Sequence, residues 1–246
     1  MNKYYILQSL REHDRKTGRE LFDTLKNKCD IFFQEYHSKN ELKSILEYIS
    51  IDTQISNSIP FVHFDCHGDE NGVGVVKSDF TEEDITWNEL GDQFREIYIT
   101  SSKRSVLCFS SCEGFNSSKL VPQFKVCPFS YVAGSFEKIT FNDSLNGYRD
   151  FYEQIISGID IKQAAYHVHQ KYSDLKFLCF SAEVLFEVAS TSYLKEKTTL
   201  EELQKRKENF ESVLQLNNAQ RAFLNYVYTQ QGQQEFINKW KRVFFA

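Results

Sequence analysis

Apolar residues in the first two thirds of the chain follow two alternating rhythms. Short runs with the length of buried strands occur at Tyr4-Tyr5-Ile6-Leu7, Asp30 to Tyr36, Ile59 to Cys66, Ser105 to Ser110, Phe129 to Ala133 and Lys176 to Ser181. Helical spacing lies between them. Gly18 to Lys28 places Leu21, Phe22 and Leu25 on one face, and Asn40 to Ile51 does the same with Leu42, Ile45, Leu46 and Ile49. Trp87 to Ile97 reads as helix. So does the stretch carrying Leu145, Tyr148, Tyr152, Ile155 and Ile156, which stops at Gly158, a suitable C-terminal cap. Asp160 can cap the next helix, which carries Ile161, Ala164, Ala165 and Val168. Gly72 to Val76 suits a short hairpin arm. Strands alternating with helices predict an α/β fold with a mostly parallel sheet flanked by helices.

From about Lys195 the pattern is helical only. Thr199 and Glu202 have capping-box spacing, and Leu200, Leu203, Phe210 and Leu214 follow. A final amphipathic stretch carries Phe236, Ile237, Trp240, Val243 and Phe244. The expected organisation is therefore a domain at 1–194 and a helical C-terminal extension at 195–246. The extension holds 9 basic and 6 acidic residues, against 20 and 28 in the body, within a net charge of −5 over 246 residues. An acidic body argues against a nucleic-acid partner. The extension either completes the core of the domain, or its Trp240, Val243 and Phe244 stripe docks a regulatory protein partner.

Aromatics at 15% supply a sizeable core, and the scarcity of Gly (10) and Pro (3) argues against long irregular loops. Met1 to Gln8 is strand-like and followed by charges, unlike a signal peptide, and no apolar run approaches the roughly 20 residues of a membrane helix. The chain is therefore expected to be cytoplasmic, with its six cysteines reduced.

Two strands end in chemically pointed residues. One reads Phe61-Val62-His63-Phe64-Asp65-Cys66 and then His67-Gly68. The other reads Val106-Leu107-Cys108-Phe109-Ser110-Ser111 and then Cys112-Glu113-Gly114. Ligands of parallel sheets bind beyond the C-terminal strand ends, so neighbouring strands would bring His67 and Cys112 together. A thiol beside an imidazole is activated by proton loss to it. The backbone amides of Gly68 and Cys112 would then form an oxyanion hole. A metal site built from His63, Cys66, His67, Cys108 and Cys112 is the alternative chemistry. Side-chain alternation turns His63 and Cys66 to opposite faces, however, and there is no CxxC pair. No phosphate-loop fingerprint is present, and neither a cofactor nor a metal is expected.

These blocks resemble the caspase-like cysteine peptidases, the group that includes caspases, metacaspases, legumain, separase and the CHAT proteins. In that group an apolar strand ends in His-Gly and a later apolar strand ends in a small residue and Cys. The separation of His67 from Cys112 is close to the roughly 50 residues expected. The likeness to CHAT domains continues through Tyr131-Val132-Ala133-Gly134-Ser135-Phe136 and Phe151 to Gly158, and covers about residues 3 to 180.

The resemblance implies a cysteine endopeptidase acting on a protein substrate, with His67 and Cys112 as its catalytic pair and some form of control by a partner. A catalytically silent scaffold of the same fold is the other reading. The substrate pocket is open. Ser110 stands where relatives often carry Asp, Glu or Gln. Phe136 replaces a Trp, and Thr140 occupies the acidic position that follows it, with Asp143 three residues later. The loop Arg11 to Gly18 resembles one that supplies a pocket arginine. Arg11 or Arg15 would favour an acidic substrate side chain, Asp143 a basic one, and a pocket reached by neither an uncharged one.

Overall fold

The computed structural model describes residues 1–121, 125–213 and 216–246. The chain forms two compact units. One is Met1–Pro122 with Cys127–Ala182, and the other is built mainly from Glu183–Ala246. This division falls earlier than the 194/195 boundary read from the sequence.

Among the described residues of the first unit, strands β1 (Asn2–Ser9), β2 (Ile31–Glu35), β3 (Ile59–Cys66), β6 (Val106–Ser110), β7 (Tyr131–Ser135) and β8 (Phe177–Ser181) form one sheet in the order β2-β1-β3-β6-β7-β8. All neighbours pair in parallel except β7 and β8, which are antiparallel. Strands β4 (Gly72–Val76) and β5 (Glu82–Thr86) form a separate antiparallel hairpin. The helices are α1 (Thr17–Leu25), α2 (Lys39–Ser56), α3 (Trp87–Thr100), α4 (Phe141–Ile156) and α5 (Ile161–Lys171). The expected mostly parallel α/β sheet flanked by helices is what the chain forms.

Strand alternation sorts the core. One face presents Tyr4, Ile6, Phe61, Val106 and Cys108 to Leu21 and Leu25 of α1, Tyr148, Phe151 and Tyr152 of α4, and Ala164 and Val168 of α5. On the other, Phe64 packs on Phe94 of α3 (ring centroids 5.5 Å apart) and Phe109 on Trp87 (5.2 Å). Side-chain caps fix where helices begin. Thr86 and Glu89 form a reciprocal capping box at α3, Thr140 caps α4 and Asp160 caps α5. Helix α4 stops where Gly158 adopts φ +95, a left-handed conformation that glycine enters without steric cost.

The second unit contains most of α6 (Ala182–Lys197), then α7 (Leu200–Val213), α8 (Asn218–Val227) and α9 (Gln230–Phe244). Leu214, which the sequence places on the apolar face of α7, lies outside the described residues. Trp240 and Phe244 are buried and pack on Phe186 of α6, at 5.0 and 5.1 Å between ring centroids. Two residues of the stripe considered for docking thus form this unit's own core. Trp240→Ala is expected to destabilise the unit by about 3–5 kcal/mol, seen as a lower urea midpoint for its helical signal. An unchanged midpoint would remove Trp240 from the core. Among the described residues, no helix is long and apolar enough to cross a membrane.

Candidate functional site

The β3–β6 register runs from Phe61 opposite Val106 to Asp65 opposite Ser110. Continued for two residues past the strand ends, it sets His67 opposite Cys112. Both line one cavity of about 230 Å³ at the C-terminal edge of the sheet, together with Leu10 after β1 and Ile139, Thr140, Phe141 and Ser144 from the start of α4. A larger cavity of about 310 Å³ lies at the ends of β1 and β2 and shares Leu10, but cysteine is absent from its described walls.

Gly68 makes the close approach of the two strand ends possible. A Cβ there would lie 2.9 Å from Ser111 Oγ and 3.1 Å from the Cys112 carbonyl oxygen, so any larger residue would push the His67 and Cys112 segments apart. Gly68 also faces Val73 of β4 in an isolated antiparallel bridge. The bonds of that bridge run from Asp69 N–H to Gly72 O and from Gly74 N–H to His67 O. Gly68 is therefore the non-hydrogen-bonded member, and its N–H points away from the hairpin. After Cys112 the chain turns sharply. Glu113 adopts φ +55 and Gly114 N–H closes on Ser111 O at 3.2 Å. Left-handed backbone at a non-glycine residue costs on the order of 1–3 kcal/mol and gathers at functional sites. Here it holds Cys112, half-exposed, at the tip of the turn.

His67 Nε2 lies 2.8 Å from Asp14 Oδ2. Asp14 sits in a turn after β1, closed by Asp14 N–H to Arg11 O, and its Oδ2 also accepts the Arg11 N–H at 2.9 Å. Burial pushes the Asp14 carboxyl upward, but the hydrogen bonds from His67 and Arg11 outweigh it and hold the group below its ordinary value. An ionised Asp14 fixes the His67 proton on Nε2 and leaves Nδ1 as the basic nitrogen. Among the cavity cysteines, burial pushes the Cys66 thiol far above its usual range, which suits a packing role and not a nucleophile.

The charged candidates for the substrate pocket point elsewhere. The Arg11 guanidinium pairs with Glu82 on β5. Arg15 makes two bonds to Glu20 and another to Asn142. The Asp143 carboxylate accepts the Thr140 hydroxyl at the cap of α4. None of the three lines the cavity, whereas Ser110 does. Two acidic residues join the site unpredicted, Asp65 in the cavity wall and Asp14 through its bond to His67. Asp14 gives no sequence signal beyond a polar loop, while Asp65 is conspicuous as a carboxylate near the end of an apolar strand. Asp65 is 2% exposed, and its oxygens accept the Thr17 hydroxyl (2.8 Å), the Gly18 N–H (2.5 Å) and the Ser110 hydroxyl (3.3 Å). Burial is the main influence on it and pushes its pKa up to about 6 despite those donors.

His63, a candidate metal ligand, is buried in the core with Nδ1 3.0 Å from the Tyr152 hydroxyl and its ring edge-on to Tyr148. Among the described residues, no group of three or more His, Cys, Asp or Glu side chains has the arrangement of a metal site. Burial lowers the His63 pKa to about 3, so the folded protein keeps it neutral while the unfolded chain takes up a proton below about pH 6.5. Its contribution to stability is therefore present above pH 6.5 and lost as pH falls toward 3. Between pH 6.5 and 4.5, wild type should lose about 2 kcal/mol relative to His63→Asn, measured from paired urea titrations. A difference that does not change with pH would contradict a neutral buried imidazole.

No protein-family model matches the chain, and no curated protein matches it. Among solved structures, the crystal structure of Raptor from Chaetomium thermophilum aligns with 48% of this chain and 13% of its own length, at 10% identity and a TM-score of 0.33. That likeness is too distant to bear on the chemistry.

Proposed function

We propose that this chain is a cysteine endopeptidase of the caspase-like type, closest in pattern to the CHAT-domain proteases. The observation that carries the reading is the parallel β3–β6 register, which directs His67 and Cys112 into one cavity while Asp14 bonds Nε2 of His67.

The chemistry follows from those positions. Nδ1 of His67 takes the Cys112 thiol proton, and the thiolate attacks the scissile carbonyl carbon, forming a C–S bond and a tetrahedral oxyanion. The N–H groups of Gly68 and Cys112 are free to receive that oxyanion, since neither has an acceptor among the described residues. The imidazolium returns the proton to the leaving amine as the C–N bond breaks. Water then attacks the thioester, His67 takes its proton, and the C–S bond breaks to release the acid and restore the thiol. Asp14 stabilises the imidazolium at each stage. Incubating the purified protein with a proteome-derived peptide mixture tests the proposal. New peptide termini that require Cys112 support it, and an unaltered mixture counts against it.

A further inference from the structure

On the reading that Cys112 is a peptidase nucleophile, we propose that the cavity beside it is a P1 pocket selecting a lysine or arginine side chain, with Asp65, Ser110 and Ser144 as the recognition group. Hydrogen-bond direction and charge both lead there.

Among the described residues, Asp65 is reached only by donors: Thr17, Gly18 and Ser110. Ser110 also shares a hydroxyl–hydroxyl contact of 2.5 Å with Ser144, which extends the polar group from the carboxylate to α4. The three bonds made to Asp65 itself all bring protons toward the carboxylate. Asp65, Ser110 and Ser144 all line the cavity, and an ionised carboxylate offers a guest only acceptor sites.

The charge points the same way. The described walls hold no lysine or arginine, and the three groups that hold Asp65 are all neutral. An anionic guest would meet a buried carboxylate without relief, whereas a cationic guest supplies the missing counter-charge. The upward displacement of the Asp65 pKa to about 6 is the cost such a guest would offset. The positive end of the α4 dipole, which also borders the cavity, is countered by Asp143 in its own first turn. Space is sufficient. A water needs roughly 10–15 Å³ of such volume, and about 230 Å³ accommodates a long side chain between Leu10, Ile139 and Phe141.

The test is a set of fluorogenic peptides identical except at P1, carrying Lys, Arg, Gln, Leu or Asp, with kcat/KM measured for each. Lys or Arg should exceed Gln by about 30- to 100-fold, the range expected for a buried charge pair, and Asp should give no turnover. Asp65→Asn should bring the Lys-to-Gln ratio to within a few-fold of one. Asp65 is also bonded to α1, so this substitution puts the fold itself at stake; Ser144→Lys provides an independent arm. A cation placed in the pocket should remove Lys and Arg turnover and admit Asp. Efficient cleavage after Gln, Leu or Asp with none after Lys or Arg overturns the pocket assignment and leaves the peptidase reading standing. Absence of cleavage after any P1 residue, with Cys112 unreactive toward a peptidyl acyloxymethyl ketone, overturns both. Retention of the Lys preference in a folded Ser144→Lys protein overturns the recognition group alone.

Discussion

Cys112→Ala is expected to lower peptide hydrolysis by at least about 10⁴-fold without altering the thermal midpoint. Cys112 is half-exposed at the tip of a turn, so replacing its thiol by a methyl group opens no core cavity, and the turn geometry set by Glu113 and Gly114 is independent of the sulfur. On the proposed mechanism, what disappears is the sulfur that would form the thioester. His67→Ala should be nearly as damaging, because the thiol then has no base and the leaving amine no acid. Cys66→Ala is the control. Its thiol is 4% exposed and held protonated by burial, so the variant should lose some stability and little activity. Equal loss from Cys66→Ala would reassign the nucleophile.

Asp14→Asn is the second large effect, expected at about 10²- to 10³-fold in kcat with KM changed by only a few-fold. Asparagine can occupy the same volume and keep the Arg11 contact, but it can present its amide N–H to Nε2. That would reverse the His67 tautomer and place the proton on Nδ1, where the base is needed. Loss of an analogous orienting carboxylate in a serine-protease triad costs about 10⁴-fold with the geometry intact. A thiol ionises more readily than a hydroxyl, which reduces the dependence. Asp14→Glu should recover part of the rate. A merely structural role for Asp14 predicts a lower thermal midpoint and a rise in KM, with no rescue by glutamate. That pattern would remove it from the mechanism.

The parts of the fold legible in the sequence are those in which burial leaves a continuous apolar run. Strands β1, β3 and β6 are nearly unbroken apolar segments because helices cover both faces, and β3 and β6 end in the His67 and Cys112 blocks. Strand β5 is hidden because Glu82-Glu83-Asp84 forms the outer strand of its hairpin and carries no apolar signal. Helix α6 is hidden because its apolar residues are distributed around the helix without forming a stripe. The antiparallel direction of β8 has no local signature, since it depends on how the chain returns after α5.

The site divides in the same way. His67, Gly68, Ser110 and Cys112 each follow or end a strand that announces itself, and sheet register does the rest. Asp14 reaches His67 from a loop 53 residues earlier in the chain, a contact that exists only once β1 and β3 pair. The same loop contains Arg11 and Arg15, whose charges stand out in the sequence. In the structure, Glu82 and Glu20 neutralise them, and no local pattern foretells those partners.

The most direct measurement of the central claim is the site of covalent capture by a peptidyl acyloxymethyl ketone of mixed P1 composition, mapped by mass spectrometry. Such a reagent is attacked by an activated thiolate and ignores inert thiols. The account predicts one label per chain, on Cys112, lost in His67→Ala and slowed in Asp14→Asn, with Cys29, Cys66, Cys108, Cys127 and Cys179 unmodified. Labelling at Cys112 that is indifferent to His67, or labelling at any other cysteine in its place, would contradict it.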